Sequence, residues 1–95
     1  MRLDTLTREA FEDTQGGTVH LRVGPAWEPV VIAEARALAS PSPRAAPPFA
    51  VVLRGAFPLA QGLHALRHPI LGELDLFLVP VGRDGEGWLY EAVFN

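Results

Sequence analysis

The chain has 95 residues, enough for one domain with one core, and its 48% of apolar and 20% of charged residues are typical of a folded protein. The absence of cysteine excludes disulfides, thiolate nucleophiles, zinc–thiolate sites and iron–sulfur clusters. The formal charge is −3 and the basic residues, all of them arginine, are spread singly, so we predict no nucleic-acid partner.

A short helix over about residues 7–14 is the first predicted element. Thr7 is placed as its N-cap, and Leu6 and Phe11 have the spacing of a hydrophobic staple. Gly16 or Gly17 ends the helix. A helix of two turns is marginal alone, so we expect its apolar side to pack against the rest of the domain.

Residues 18–23 alternate between apolar and polar side chains and predict a half-buried strand, followed by a turn at Gly24-Pro25. For residues 30–38, VVIAEARAL, a strand and a helix compete. The β-branched residues that lead the segment, and Pro29 at its entrance, favour the strand. The prolines of ALASPSPRAAPPFA then predict an extended loop over about residues 39–48, because proline has no N–H for a ladder.

Four further strands are predicted at residues 49–54, 63–67, 73–81 and 88–94. Short successive strands, mostly linked by hairpins after one small helix, indicate a mainly β fold: a small antiparallel six-stranded barrel-like domain over residues 1–95. A two-layer β-sandwich is the alternative. No apolar run approaches the roughly 18 residues that span a bilayer, and no secretory signal is expected, so we predict a cytoplasmic protein without a membrane partner.

The loop at residues 82–87, GRDGEG, has the glycines and acids of a phosphate or metal site. Its G-x-x-G-x-G order, followed by a strand, differs from the G-x-G-x-x-G that opens a helix in dinucleotide-binding domains. Asp84 and Glu86 supply only two of the ligands of a calcium loop, since Glu91 falls within a strand. The prediction is a plain hairpin turn, with no cofactor and no metal.

Residues suited to catalysis or ligand binding are scattered. His64 and His68 stand about 13 Å apart on a strand, too far to share one ion, so we expect an exposed His64 and a His68 that caps the turn at Pro69. Whether the protein is an enzyme stays open at this point. A small-ligand-binding barrel, or a small enzyme with a site at the barrel mouth, is the alternative function. Its candidate polar groups are His20, Glu34, Arg54 and His64.

The strand ELDLFLVPV is apolar on both faces, and only one face can line the core of so small a domain. The other face predicts an interaction surface for a protein, either a second copy in a homo-oligomer or a larger assembly. Trp88, Tyr90 and Phe94 share one face of the next strand and are expected to extend that surface. The alternative is that the N-terminal helix covers it. The predicted interaction residues are Phe77, Val79, Arg83, Trp88 and Tyr90.

The C-terminal third resembles a family of small uncharacterised bacterial domains. The shared pattern is H-P-x-L-G, an L-F-L-V-P strand, G-R-D and a closing Y-E-A-V-F-N, and the opening LTREAFE is similar too. The resemblance implies a free-standing single domain and a gene neighbourhood with phage-tail-like proteins; it implies no activity or catalytic residue. Together with the apolar face it predicts a non-enzymatic interaction or assembly module, with a tail-like particle as one candidate assembly.

Overall fold

The computed structural model describes residues 6–39 and 47–94. Most of the predicted Pro-rich loop lies outside these residues. The described chain forms one short helix and six strands: α1 (Arg8–Glu12), β1 (Thr18–Val23), β2 (Ala26–Ala37), β3 (Phe49–Gly55), β4 (Gly62–His68), β5 (Gly72–Asp84) and β6 (Gly87–Phe94). The segment for which strand and helix competed is a strand, paired with β1 on one side and β3 on the other.

The strands close into an antiparallel barrel in the order β1-β2-β3-β6-β5-β4, with β4 returning to β1. Each half of the chain is a three-stranded meander, and residues 56–61 connect the two halves across one end of the barrel. The β1–β4 ladder that closes the barrel has two register pairs, His20↔Arg67 and Leu21↔Leu66. The predicted six-stranded barrel with one short helix is confirmed, and the sandwich alternative is wrong.

Along each strand, every second side chain points inward, and these side chains fill the barrel. Val19 and Leu21 of β1 point inward and are buried, whereas His20 and Arg22 between them are exposed. On β5 the residues Leu74, Leu76 and Leu78 are buried in the same way. The core is therefore built from one face of every strand, as in other small barrels whose interior is filled by side chains.

The helix α1 closes one end of the barrel through Phe11, which is 0% exposed. The Phe11 ring lies 6.0 Å from the Phe49 ring and 5.7 Å from the Phe94 ring, measured between centroids. Leu6 is buried in the same cluster, in keeping with the predicted staple. The predicted cap at Thr7 is not made by its side chain; the Thr7 carbonyl accepts a hydrogen bond from the Ala10 N–H instead.

The opposite end of the barrel is filled by the 56–61 connection and the start of β6. Phe57, Leu59 and Trp88 are partly buried there and pack against the core. Gly55 permits this packing, because a Cβ atom at that position would lie 3.0 Å from Val30 Cγ1 and 3.1 Å from the Tyr90 ring. Within the part of the chain that the structure describes, no helix is long and apolar enough to cross a membrane.

Candidate interaction surface

An apolar surface runs over the outside of β4, β5 and β6. Leu63 on β4 stands opposite Phe77 on β5, and these side chains are 72% and 52% exposed. Val79 follows on the same side of β5 and is half-buried. Val93 on β6, two residues beyond the Glu91 that pairs with Val79, is 48% exposed. We call these four residues, Leu63, Phe77, Val79 and Val93, the apolar face.

The helix does not cover the apolar face. It packs against β2 and β3, and its Phe11 enters the end of the barrel, so Phe77 stays exposed on the barrel wall. The alternative in which α1 hides this surface is therefore wrong. The observed position follows from side-chain size, since a buried Phe11 can fill the open end of the barrel between Phe49 and Phe94.

Tyr90 does not belong to the surface, contrary to the prediction. It is 1% exposed and pairs with the fully buried Leu53 of β3, and residues that stand opposite each other on neighbouring strands point to the same side of the sheet. Trp88 and Phe94 lie on the same inward side of β6 as Tyr90. Burial raises the pKa of the Tyr90 hydroxyl, and the Phe57 backbone lowers this pKa to a smaller extent. The hydroxyl makes no hydrogen bond that meets the usual limits of distance and angle.

A β-bulge takes Arg83 away from the apolar face as well. The β5–β6 register shifts between Pro80 and Gly82, so that Arg83 stands opposite Trp88. Its guanidinium carbon lies 4.6 Å from the centroid of the Trp88 ring. Without the bulge, strict alternation from Phe77 would put Arg83 on the outer side. Of the five predicted interaction residues, Phe77 and Val79 are therefore the two that share the outer surface.

The hairpin between β5 and β6 is organised by its own side chain. Asp84 Oδ1 accepts hydrogen bonds from the N–H groups of Glu86 and Gly87 at 2.8 and 3.0 Å, and Oδ2 accepts two from Arg54 at 2.7 and 3.0 Å. The Arg54 hydrogen bond, together with that from Glu86, holds the pKa of Asp84 below its usual value. The predicted hairpin turn between β5 and β6 is confirmed. Among residues 6–39 and 47–94, no cluster of three His, Cys, Asp or Glu side chains could hold a metal ion.

His68 fastens the β4–β5 turn to the helix. Its Nδ1 accepts hydrogen bonds from the N–H groups of Ile70 and Leu71 at 3.0 and 3.1 Å, which confirms the predicted cap. Since Nδ1 accepts, the proton lies on Nε2, which donates to Thr14 Oγ1 at 3.0 Å. The Thr14 hydroxyl donates in turn to the Phe11 carbonyl at 3.1 Å. Burial lowers the pKa of His68.

The four polar groups of the alternative function have separate surroundings. His64 is half-buried instead of exposed and donates a hydrogen bond of 2.8 Å from Nε2 to the Ala60 carbonyl, and Arg54 is bound to the hairpin. Glu34 lies beside Arg36 at 3.5 Å, and His20 is exposed on the outside of β1. The barrel mouth that was expected to hold them is filled by the partly buried apolar side chains of the 56–61 connection.

Sequence reasoning missed a second surface on the other side of the barrel. The Arg67 guanidinium carbon lies 3.9 Å from the centroid of the Trp27 ring, and that of Arg22 lies 5.9 Å from it. The pairing of Arg22 with Trp27 could have been read from the sequence, because both stand at equal distance from the Gly24-Pro25 turn. The approach of Arg67 depends on barrel closure and has no local sequence signal.

Comparisons with curated proteins and with solved structures find no match. A family model described as a domain of unknown function, DUF6916, matches residues 6–94. The match includes both the helix and all six strands of the barrel. The chain therefore belongs to the DUF6916 family of domains of unknown function.

Proposed function

We propose that this protein is a non-enzymatic interaction or assembly module that associates with protein through the apolar face. The observation that carries the proposal is the exposure of Leu63 and Phe77, which stand opposite each other on the outside of the barrel wall. An exposed cluster of large apolar side chains is typical of a contact site, because its burial removes apolar area from water at about 25 cal/mol per Å².

The closed sheet restricts how such a partner can bind. In the described barrel every strand has a paired neighbour on each side, and the weakest of these ladders, between β1 and β4, has two register pairs. Association is therefore proposed to use side chains on the outside of the barrel in preference to a strand edge. The apolar face offers them on three adjacent strands, with Phe77 on the central one.

One carboxylate beside the apolar face is already neutralised. Glu91, which stands opposite Val79, accepts a hydrogen bond from Arg36 at 2.6 Å. A partner that covers Val79 would therefore meet a paired carboxylate instead of a lone one, which lowers the cost of removing water from this border. This arrangement favours an apolar partner over a charged ligand at the same place.

The partner is proposed to be a second copy of the chain or a component of a larger assembly, for which the resemblance adds tail-like particles as a candidate. Molar mass measured by light scattering over a wide concentration range tests self-association directly. We expect a concentration-dependent oligomer that Phe77→Asp dissociates. Losing the burial of one Phe side chain costs about 1.5–3 kcal/mol, so the dissociation constant should rise by about tenfold or more.

Ile70→Asp is the matched control, because Ile70 is 76% exposed in the β4–β5 turn, outside the apolar face. It introduces the same charge and should leave the oligomer intact. Amide NMR spectra of both variants confirm that the barrel is folded. A Phe77→Asp variant that associates like the wild type, or a wild type that stays monomeric at millimolar concentration, would contradict self-association through this surface.

A further inference from the structure

Two arginines and one tryptophan form a cationic cluster on the outside of β4, β1 and β2. Arg22 stands opposite Trp27 across the β1–β2 hairpin, and Arg67 on β4 stands beside His20 of β1. From there Arg67 reaches across β1 and stacks on the Trp27 ring at 3.9 Å. We call Arg22, Trp27 and Arg67 the Trp27 cluster. It shares no residue with the apolar face.

The guanidinium groups of the Trp27 cluster are held in place while their ends stay available. Arg22 donates through Nε to the Gly24 carbonyl at 3.1 Å, which orients the group and leaves both Nη atoms for another acceptor. The plane of Arg67 is oriented by the Trp27 ring. Its Nε lies 3.7 Å from Glu73 Oε2, longer than a hydrogen bond. Such preorganised groups lose little side-chain freedom when a carboxylate binds.

Positive charge is only partly compensated at this place on a protein whose formal charge is −3. Arg36 and Arg54 hold carboxylates at 2.6 and 2.7 Å. Within residues 6–39 and 47–94, by contrast, no carboxylate lies within ion-pair distance of Arg22. Of the two arginines in the Trp27 cluster, Arg22 is therefore left without a carboxylate, and Arg67 is only loosely paired with Glu73 at 3.7 Å.

We propose that the Trp27 cluster binds an acidic segment of a partner protein. Its carboxylates accept hydrogen bonds from Arg22 and Arg67, a geometry for which guanidinium is suited, and an apolar part of the segment lies against Trp27. Nucleic acid fits less well, because its affinity grows with the number of phosphates neutralised and the cluster offers only two arginines. A short acidic peptide needs only two cations and an aromatic surface.

The test uses the full chain, labelled with ¹⁵N, and a peptide of eight glutamates at low salt. We expect a saturable shift of the Trp27 indole N–H signal. Arg22→Gln should weaken peptide binding by about tenfold or more, since a hydrogen bond to a charged group contributes about 1.5–3 kcal/mol. Arg83→Gln is the matched control, because it removes the same charge from another arginine that lies over a tryptophan, and its affinity should stay within about twofold of the wild type.

Three results would overturn the proposal: no saturable shift of the Trp27 signal, an equal loss of affinity in Arg83→Gln, or equal or tighter binding of an eight-nucleotide oligothymidylate at the same residues. The last would assign the surface to nucleic acid. The amide spectrum of each variant reports whether the barrel is folded. Should Arg22→Gln fail to fold, Arg67→Gln takes its place, with the same expected loss of affinity.

Discussion

Replacing Phe11 by alanine tests whether the helix is fastened to the barrel by this one side chain. Phe11 is 0% exposed, and its ring lies within 6.0 Å of the rings of Phe49, His68 and Phe94, measured between centroids. Truncating a fully buried Phe costs about 3–5 kcal/mol through lost burial and the cavity left behind. A domain of this size has a free energy of unfolding of about 5–14 kcal/mol, so the change should remove a large fraction of it.

Urea unfolding followed by circular dichroism measures the difference. Phe77→Ala is the control, because it removes the same atoms from a side chain that is 52% exposed, and we expect a loss of about 1 kcal/mol or less. Amide exchange in α1 should also accelerate in Phe11→Ala before the strands are affected. A Phe11→Ala variant that loses no more stability than Phe77→Ala would refute the conclusion that Phe11 fastens the helix to the end of the barrel.

Low pH should weaken the contacts that His68 makes, and a methyl group added at Gly55 should disturb the packing at the opposite end of the barrel. Burial lowers the pKa of His68 in the folded state, so its contribution to the free energy of unfolding is present above about pH 6.5 and declines as the pH falls through 6.5 toward the lower folded pKa. Urea midpoints measured across this range should show that decline, and a His68→Asn variant that kept it unchanged would assign it to other groups. Gly55→Ala places a Cβ atom 3.0 Å from Val30 Cγ1 and should lower the free energy of unfolding by about 1–3 kcal/mol, whereas an unchanged thermal midpoint would show that Val30 and Tyr90 can move aside.

The strands were predictable because their signals are local. Alternation from Thr18 to Val23, and the β-branched run that begins at Val30, determine which segments are extended. Most turns could be placed as well, since Gly24-Pro25 and the GRDGEG loop have residues that favour tight turns. Residues 30–38 were harder to assign, because their alanines suit a helix. Only the pairing of β2 with β1 and β3 shows that this segment is a strand.

Which face of β6 points into the core could not be predicted from the sequence. Trp88, Tyr90 and Phe94 are separated by even numbers of residues and so share one face of the strand, as the residues of an exposed face would. This spacing does not show whether the face points to the core or to solvent. The pairing of Tyr90 with Leu53 answers this, and it joins two strands far apart in the chain. The bulge before Gly82 then reverses the side to which Arg83 points, and a bulge is set by packing against the neighbouring strand.

The sequence by itself determined the class of fold, the approximate bounds of the strands and the presence of an apolar side chain at Phe77 that has no place in the core. Tertiary structure alone decided which aromatic residues are buried, where the helix packs and which arginines meet Trp27. The physical reason is the distance along the chain over which each feature is decided. Whether a segment forms a strand or a turn depends on neighbouring residues. Which side chains point into the core, how the barrel closes and which residues form a surface depend on the register between strands that meet only when the barrel forms.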